Sequence, residues 1–456
     1  MSRAAAASVG GTFRAFRNYN YRLYWSGQVV SVTGTWMQRV AQDWLVLRLT
    51  NSPLALGTIS AVQFTPILMF SLFGGVFADR VPKVKMLTIT QSVMAVQSLI
   101  FALLVTTHLI ELWEIYILAA VLGTASAMDV PTRQAFVMEM VGPEDISNAV
   151  ALNSIQFNVA RIIGPALGGF AIAAINVAGC LYVNTVSFAF VIGALLLMHQ
   201  SEFFDVPPRM VGKVVAQLVE GVRYALTTRD IAVIVIVLGI VGTFGYNFTV
   251  VLPLVAKYPL HSGPGGFGLL TSAMGVGSVV AGLVVARGKS PALSRLFIGA
   301  TGLTVLLFAL GFANSWWFAV PIVIGLGMFS IVFQTTANTR LQLLAPPQMR
   351  GRIMSIYQLL FAGTTPIGGT IFGILADTRG VGSGIRIVAV LCVGGLAAGI
   401  LYLRFGPQVG RPVELPGTGL PQDLPLPIPA AGPAGMPTGL TAGAFQPDPP
   451  PKERSG

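Results

Sequence analysis

Five ionisable residues fall within or beside long apolar runs of this sequence: Arg39, Asp43, Asp129, Arg133 and Arg161. A charge at the centre of a lipid bilayer costs at least ~2.5–3.5 kcal/mol, so each should face a partner or an aqueous cavity. Four of them form two acid–base pairs with a spacing of four residues, which lets the members of each pair meet on one helix face. Each pair either neutralises itself and serves structure alone, or takes part in moving protons and substrate.

Asp43 is the first candidate for a proton carrier, and Asp129 is the second. A carboxylate in a cavity of low dielectric constant holds a proton more readily than a carboxylate in water. The positive charge of Arg39, which stands beside Asp43, acts against that protonation. Arg161 is the candidate for contacting an anionic or polar part of a substrate.

Polar side chains on several helices predict a central cavity that both halves of the chain line. On the first helix they recur every three or four residues and form one stripe, which should turn away from lipid. Hydrogen bonding between helices accounts for each of these residues singly, and less readily for the whole set. The predicted cavity residues are Gln28, Thr35, Gln38, Arg39, Gln42, Arg133, Asn153, Gln156, Arg161, Asn247, Tyr357 and Gln358.

The elements that must position these groups are membrane-spanning helices. Of 456 residues, 54% are hydrophobic and only 10% are charged, whereas ordinary soluble domains carry roughly 25% charged residues. The apolar runs are continuous rather than alternating, which excludes a β-barrel. Since one crossing needs ~20 apolar residues, the sequence predicts an all-α membrane protein of twelve transmembrane helices. They are expected at 23–48, 54–78, 85–107, 113–138, 147–174, 177–199, 231–255, 266–287, 293–313, 317–343, 352–376 and 384–404.

Charge and composition predict the topology and the domains. The formal net charge of +11 comes from short basic clusters between the apolar runs, which indicates the positive-inside rule rather than nucleic-acid binding. We expect a multi-pass protein of the cell (inner or plasma) membrane with both termini cytoplasmic. The expected parts are a cytoplasmic segment 1–22, six-helix bundles 23–199 and 231–404, a cytoplasmic linker 200–230 with an interfacial helix, and a tail 405–456. The tail contains 13 of the 29 prolines and should be disordered.

Several classes of chemistry find no support in the sequence. The two cysteines and three histidines are scattered, so we expect no metal site and no cofactor. There is no phosphate-binding loop ending in Gly-Lys-Ser/Thr and no nucleophile elbow, which argues against ATP-driven transport and against an enzyme. The expected partners are a small-molecule substrate, protons as the coupling ion and the lipid bilayer, and the protein is expected to be a monomer.

The turn after the second predicted helix contains Gly75, Asp79, Arg80 and Lys83. This stretch resembles the signature between helices 2 and 3 of the major facilitator superfamily, Gly-x-Leu-Ala-Asp-Arg-x-Gly-Arg-Arg. The resemblance implies a gate in which the aspartate at the helix end binds basic groups in one conformation and releases them in the other. Glu139 is expected to pair with Arg80 in that gate. A basic loop that only sets topology is the alternative.

Small residues in the fifth predicted helix follow the pattern Ala-x8-Ala-x3-Gly164-Pro165-x2-Gly168-Gly169. This pattern is similar to the antiporter signature of drug and metabolite exporters in the same superfamily, with alanine at the first two glycine positions. The proline removes one backbone hydrogen bond and should bend the helix. The resemblance favours export, and a plain small-residue packing face is the alternative.

The two halves of the chain also resemble each other. Gly123 and Pro143 are twenty residues apart, and Gly327 and Pro347 repeat that spacing 204 residues later, which is typical of transporters built from repeats. Residues 16–28 and 129–136 resemble the branch that includes enterobactin exporters and related multidrug or macrolide efflux proteins. The resemblance covers residues 13–404 and implies the major facilitator fold, with two pseudo-symmetric bundles and proton-coupled efflux of a drug, siderophore or metabolite by alternating access. An importer on the same scaffold, or a membrane receptor or assembly protein that does not transport, are the alternatives.

Overall fold

The computed structural model describes residues 13–205, 214–286 and 292–406. Within these ranges it describes only the backbone of residues 71–80, 214–218, 286 and 362. Of the predicted tail, only residues 405 and 406 belong to the described part of the chain.

The described residues form thirteen α-helices, preceded by a short 3-10 helix at Arg14–Arg17. The first begins after Asn18, whose side chain accepts a hydrogen bond from the backbone N–H of Tyr21 and so caps the helix. It ends at Asn51, which takes the left-handed conformation with φ 52°. The helices are α1 Tyr19–Thr50, α2 Pro53–Arg80, α3 Lys83–Thr106, α4 Leu112–Leu196, α5 Val214–Thr227, α6 Arg229–Gly245, α7 Phe248–Lys257, α8 Pro264–Ala286, α9 Leu293–Leu310, α10 Trp316–Leu344, α11 Pro347–Ala362, α12 Thr365–Arg379 and α13 Val381–Phe405.

Helix α4 contains 85 residues and is divided into three segments by Gly142 and Asn176, where the backbone leaves the helical conformation. Both residues have positive φ, at 71° and 60°. A Cβ atom at position 142 would lie 2.8 Å from the ring of Phe204, so space as well as conformation requires glycine there. The segments 112–141, 143–175 and 177–196 correspond to three of the predicted helices. The short connection expected at 139–146 is reduced to the break at Gly142, because proline at position 143 fits the first turn of a helix that restarts at once.

Two predicted helices are each interrupted in the middle, although each remains one stretch long and apolar enough to cross a membrane, Arg229–Lys257 and Pro347–Arg379. The helix expected at 231–255 is divided into α6 and α7 at Tyr246 and Asn247, and the helix expected at 352–376 is divided into α11 and α12 at Gly363 and Thr364. In the second case Pro366 lies in the first turn of α12 and cannot donate a backbone hydrogen bond to α11. In the first, the side chain of Asn247 replaces a backbone donor by bonding the carbonyl oxygen of Thr243 at 2.6 Å.

Nine helical stretches among the described residues are long and apolar enough to cross a membrane. Helix α1 is not one of them, because its polar and charged residues lower its hydropathy. Helix α4 packs along α1, α2 and α3, and α10 packs against α8 and α9. Two further contacts join distant parts of the chain: α2 packs against α12, and α4 packs against α8.

A helix, α5, is present where the sequence predicts an interfacial helix. An ion pair of 2.6 Å between Glu220 and Arg352 connects it to α11. The hydroxyl of Tyr402 on α13 donates a 2.7 Å hydrogen bond to the carbonyl oxygen of Leu226. These contacts attach α5 to the helices that follow it in the chain.

Candidate functional site

A cavity lies between α1 and the middle segment of α4 on one side and helices α6 to α8, α10 and α11 on the other. It contains about 950 Å³ of empty space, part of which is open to solvent. Spaces between helices that are mostly apolar and carry a few polar groups are where small organic ligands bind. Its charged wall residues are Arg39, Asp43 and Arg161, and its aromatic wall residues are Trp36, Tyr246, Phe248, Phe267 and Phe361.

Asp43 is only 4% exposed, yet its carboxylate has no hydrogen bond or ion pair within 4 Å among the residues that the structure describes. Arg39, which shares a helix face with Asp43, lies beyond ion-pair distance of it, although its positive charge still acts on the carboxylate. The guanidinium of Arg39 instead lies over two aromatic rings, 5.0 Å from the ring centroid of Trp36 and 5.4 Å from that of Phe64. Cation–π contacts of this kind hold an arginine without using a carboxylate. Asp43 therefore faces the cavity as an unpartnered acid.

Asp129 has the opposite surroundings. It is 2% exposed and accepts hydrogen bonds from Thr90 at 2.9 Å and from Gln91 at 2.8 Å, both on α3. It also forms an ion pair with Arg133, which in turn donates a hydrogen bond to Gln28 on α1. This network joins three helices and satisfies the carboxylate, as a buried charge requires.

The polar stripe of α1 bonds neighbouring helices and does not line the cavity. Gln38 donates to Gln97 at 3.2 Å and accepts a hydrogen bond from Asn184 at 2.6 Å. Gln42 donates to Gln63 at 3.4 Å. Each residue of a helix is rotated by about 100° from the last, so the stripe and the cavity face of α1 lie about a quarter turn apart. Hydrogen bonding between helices, the alternative for single residues, accounts for these side chains.

Other predicted cavity residues also lie away from the cavity wall. Asn153 accepts a 3.0 Å hydrogen bond from the hydroxyl of Tyr21. Tyr357 stacks on Phe361, with 5.9 Å between the ring centroids, and so supports a wall residue without lining the wall itself. The predicted residues that this cavity does not include are Gln28, Thr35, Gln38, Gln42, Arg133, Asn153, Gln156, Asn247, Tyr357 and Gln358. Arg39 and Arg161 are the predicted cavity residues that it does include.

Sequence reasoning missed most of the aromatic wall. Trp36 could have been found, because it stands three residues before Arg39 on the same face of α1. Tyr246 and Phe248 flank the break between α6 and α7, which the sequence did not reveal. Phe267 on α8 and Phe361 on α11 also line the cavity. The sequence alone does not show that these two helices lie beside it.

The gate motif lies partly outside the described residues, since the side chains of Gly75, Asp79 and Arg80 belong to the range with backbone only. Glu139 forms a 2.6 Å ion pair with Lys83, the first residue of α3. The side chains of this pair are 17% and 15% exposed, so it is largely shielded from water. It connects α3 to the end of the first segment of α4.

The glycines of the antiporter-type pattern lie at close helix crossings. A Cβ atom at Gly164 would lie 2.5 Å from Cβ of Trp36, and one at Gly168 would lie 3.1 Å from Cα of Met37. One at Gly169 would lie 2.7 Å from the carbonyl oxygen of Pro264 on α8. The middle segment of α4 thus packs tightly against α1 and α8 together. Pro165, between these glycines, is a wall residue of the cavity.

The end of the molecule that contains the α1–α2 turn is closed by contacts between residues 13–205 and residues 214–406. Lys257 donates to the carbonyl oxygen of Leu47 and, at 2.7 Å, to Oδ1 of Asn51. The hydroxyl of Tyr258 donates to the carbonyl oxygen of Asn51 at 2.5 Å. Nearby, a Cβ atom at Gly57 of α2 would lie 2.5 Å from the carbonyl oxygen of Gly369 of α12. We call this set of contacts the closed end.

The sequence is similar to that of transport proteins over most of its length. The family model described as transmembrane secretion effector, within the major facilitator superfamily, matches residues 10–409. The staphyloferrin A transporter of Staphylococcus aureus is 23% identical over 365 residues, which are 79% of this chain and 90% of that protein. The multidrug efflux pump Tap of Mycolicibacterium fortuitum is 25% identical over 357 residues, 75% and 85% of the two chains. The enterobactin exporter EntS of Citrobacter koseri is 23% identical over 386 residues, which are 84% of this chain and 90% of that protein.

The fold is similar to that of a solved transporter of the POT family in complex with 5-aminolevulinic acid. The TM-score is 0.69 at 13% sequence identity, and the match covers 85% of this chain and 96% of the other. At that identity the likeness concerns the fold alone.

Proposed function

This chain belongs to the transmembrane secretion effectors of the major facilitator superfamily, and from that premise we propose that it exports a small molecule by proton-coupled alternating access. It is a multi-pass membrane transporter and not an enzyme. The observation that carries the proposal is a buried carboxylate, Asp43, that forms no hydrogen bond or ion pair with the residues that the structure describes and faces a cavity between two parts of the chain.

The proposed architecture has twelve crossings in two related six-helix halves, residues 13–205 and 214–406. The three segments of α4 count as three crossings. The pairs α6–α7 and α11–α12 count as one crossing each, since a break of two residues does not reverse the chain. Gly123 packs against the backbone of Gln63, and Gly327 packs in the same way against the backbone of Met274. These matching contacts support a repeat with a site between its halves.

Alternating access needs one end that is closed while the other admits substrate. At the closed end, hydrogen bonds and glycine contacts join the two halves. The ion pairs Lys83–Glu139 and Glu220–Arg352 instead each stay within one half. We assign the closed end to the outside of a cell (inner or plasma) membrane and the end with both termini to the cytoplasm, in keeping with the basic connections between the helices.

Proton coupling requires a group whose protonation changes with the conformation. Asp43 fits this role because it forms no hydrogen bond or ion pair with the described residues and only the more distant charge of Arg39 acts on it, whereas Asp129 is held by three donors. The direction of transport is supported by relatives described as an efflux pump and an exporter. An importer on the same scaffold is the competing proposal.

Accumulation of a compound panel in cells with and without the full-length protein tests this function. We expect at least one compound to accumulate less in the presence of the protein, and an uncoupler of the proton gradient to abolish the difference. Export that survives the uncoupler would contradict the proton coupling. Accumulation that rises with the protein would favour the importer.

A further inference from the structure

The cavity wall carries two positive groups and one negative group: Arg39, Arg161 and Asp43. The aromatic rings of Trp36 and Phe64 already hold Arg39. Arg161 has no hydrogen bond or ion pair with any residue that the structure describes. A guanidinium has five N–H donors and no acceptor, so Arg161 brings an unused set of donors to the cavity.

Asp43 is too far along the cavity to neutralise Arg161. The middle segment of α4 runs beside α1 in the same direction, since Gly164 packs against Trp36 and Gly168 against Met37. Arg161 therefore lies roughly one turn before Trp36, and Asp43 lies about two turns beyond it. At 1.5 Å of rise per residue, the Cα atoms of the two residues are about 15 Å apart along the helices.

An aromatic surface on the other half of the chain faces the same space. The ring of Tyr246 lies 5.2 Å from that of Phe361 and 5.8 Å from that of Phe248, between centroids. The hydroxyl of Tyr246 donates to the carbonyl oxygen of Ser330 at 2.6 Å. Because that hydroxyl is already bonded, this cluster offers ring surface to a ligand more than hydrogen bonds.

We propose that the substrate is an amphipathic organic anion whose acidic group binds Arg161 and whose apolar body packs on Tyr246, Phe248 and Phe361. Carboxylate, sulfonate and phosphate groups each offer paired oxygens that match a guanidinium. Binding would also supply a counterion to the half-buried guanidinium of Arg161. This inference rests on the proposed transport function, because the cavity is the site that transport would use.

The test is equilibrium dialysis of three probes that share one ring system against the full-length protein in lipid nanodiscs, with empty nanodiscs as the blank. The probes are 1-naphthalenesulfonate, 1-naphthalenesulfonamide and 1-naphthyltrimethylammonium, with fixed charges of minus one, zero and plus one. We expect the sulfonate to bind most tightly. Arg161→Gln should weaken sulfonate binding by about tenfold to a hundredfold, the range for a lost charged hydrogen bond.

Matched variants separate charge recognition from damage to the fold. Arg161→Gln should weaken sulfonamide binding much less than sulfonate binding, because the sulfonamide has no charge to lose a partner, and Arg161→Lys should retain part of the sulfonate affinity. Arg48→Gln removes an equal charge from an exposed position of α1 and should change no affinity. The inference is overturned if the sulfonate shows no preference over the other two probes, or if Arg161→Gln binds it as tightly as the wild type.

Transport of the same probes in proteoliposomes distinguishes this inference from the proposed function. Proton-driven export of the ammonium probe alone would overturn the anionic substrate and leave the exporter intact. Sulfonate binding that depends on Arg161, without proton-driven movement of any probe, would contradict the exporter and support the anion site.

Discussion

Asp43 and Asp129 each stand four residues from an arginine, and each is almost fully buried. The two carboxylates differ in the hydrogen bonds and ion pairs that the surrounding helices supply. Asp129 accepts hydrogen bonds from Thr90 and Gln91 and pairs with Arg133, so its charge is fixed in a network of three helices. Asp43 faces the cavity, and its neighbour Arg39 is held by aromatic rings. The two carboxylates therefore differ in the number of their partners and not in burial or spacing, and we propose that this difference separates a structural carboxylate from one that changes its charge.

The largest expected effect is on transport by Asp43→Asn. Asparagine keeps the shape of the side chain and removes its ability to bind and release a proton. We expect export driven by a pH gradient to fall to the level of vesicles without protein, while downhill exchange of substrate persists. Transport assays in proteoliposomes check this, with Asp43→Glu as the variant that retains activity. Unchanged gradient-driven export in Asp43→Asn would remove the contrast between the two acids.

The next largest effect is on the stability of Asp129→Asn. Removing this charge leaves Arg133, whose side chain is 26% exposed, without its counterion, which costs at most about 3–5 kcal/mol, the value for a fully buried pair. Thermal denaturation of the purified protein should show a large loss of stability, with recovery in part when Arg133→Gln is added. Asp43→Asn is the matched control and should denature near the wild-type temperature. A greater loss of stability in Asp43→Asn than in Asp129→Asn would contradict the structural role that we give to Asp129.

A smaller effect is expected at the closed end, where Gly57→Ala should separate α2 from α12. The added methyl would meet the carbonyl oxygen of Gly369 at 2.5 Å, so the backbones must move apart. The hydroxyl of Ser52 donates a 3.0 Å hydrogen bond to Asp377 across this contact. Cysteines placed at positions 52 and 377 should therefore crosslink several-fold more slowly in Gly57→Ala than in the protein with Gly57. Gly193→Ala, where a Cβ atom meets nothing within 4 Å, is the control. Equal crosslinking in both variants would contradict the role of Gly57.

The smallest effect is expected from Lys257→Met. This change removes the bonds to Leu47 and Asn51 but keeps most of the side-chain volume. Hydrogen bonds from a charged group contribute about 1.5–3 kcal/mol when water is excluded. Because this site is near the surface, the contribution should be smaller. We therefore expect only a few-fold decrease in the rate of crosslinking between cysteines at positions 52 and 377. Arg379→Gln, on the same end of the molecule, should have no effect. No change in Lys257→Met would show that the glycine contacts close this end alone.

The helices were predictable because apolar runs of about twenty residues are bounded by basic or turn-forming residues. The breaks at Tyr246 and Gly363 were not, since each occurs inside an apolar run that reads as one crossing. The family resemblance was confirmed by the match over residues 10–409.

The candidate site was predictable only in part. Arg39, Asp43 and Arg161 stood out as charges in apolar runs, and all three line the cavity. The glutamines of α1 stood out equally, but Gln38 bonds Gln97 and Asn184 instead. Which face of a helix meets the cavity depends on neighbours that are far apart in the chain, and a single sequence does not show them.

Infrared difference spectroscopy of the purified protein across a pH titration tests the central contrast most directly. A protonated carboxyl group has an absorption band that a carboxylate lacks, so each acid that changes its protonation contributes a difference signal. We predict that a buried carboxyl signal is present in the wild type, is lost in Asp43→Asn, and persists in Asp129→Asn. A signal that persists in Asp43→Asn and is lost in Asp129→Asn would contradict the account.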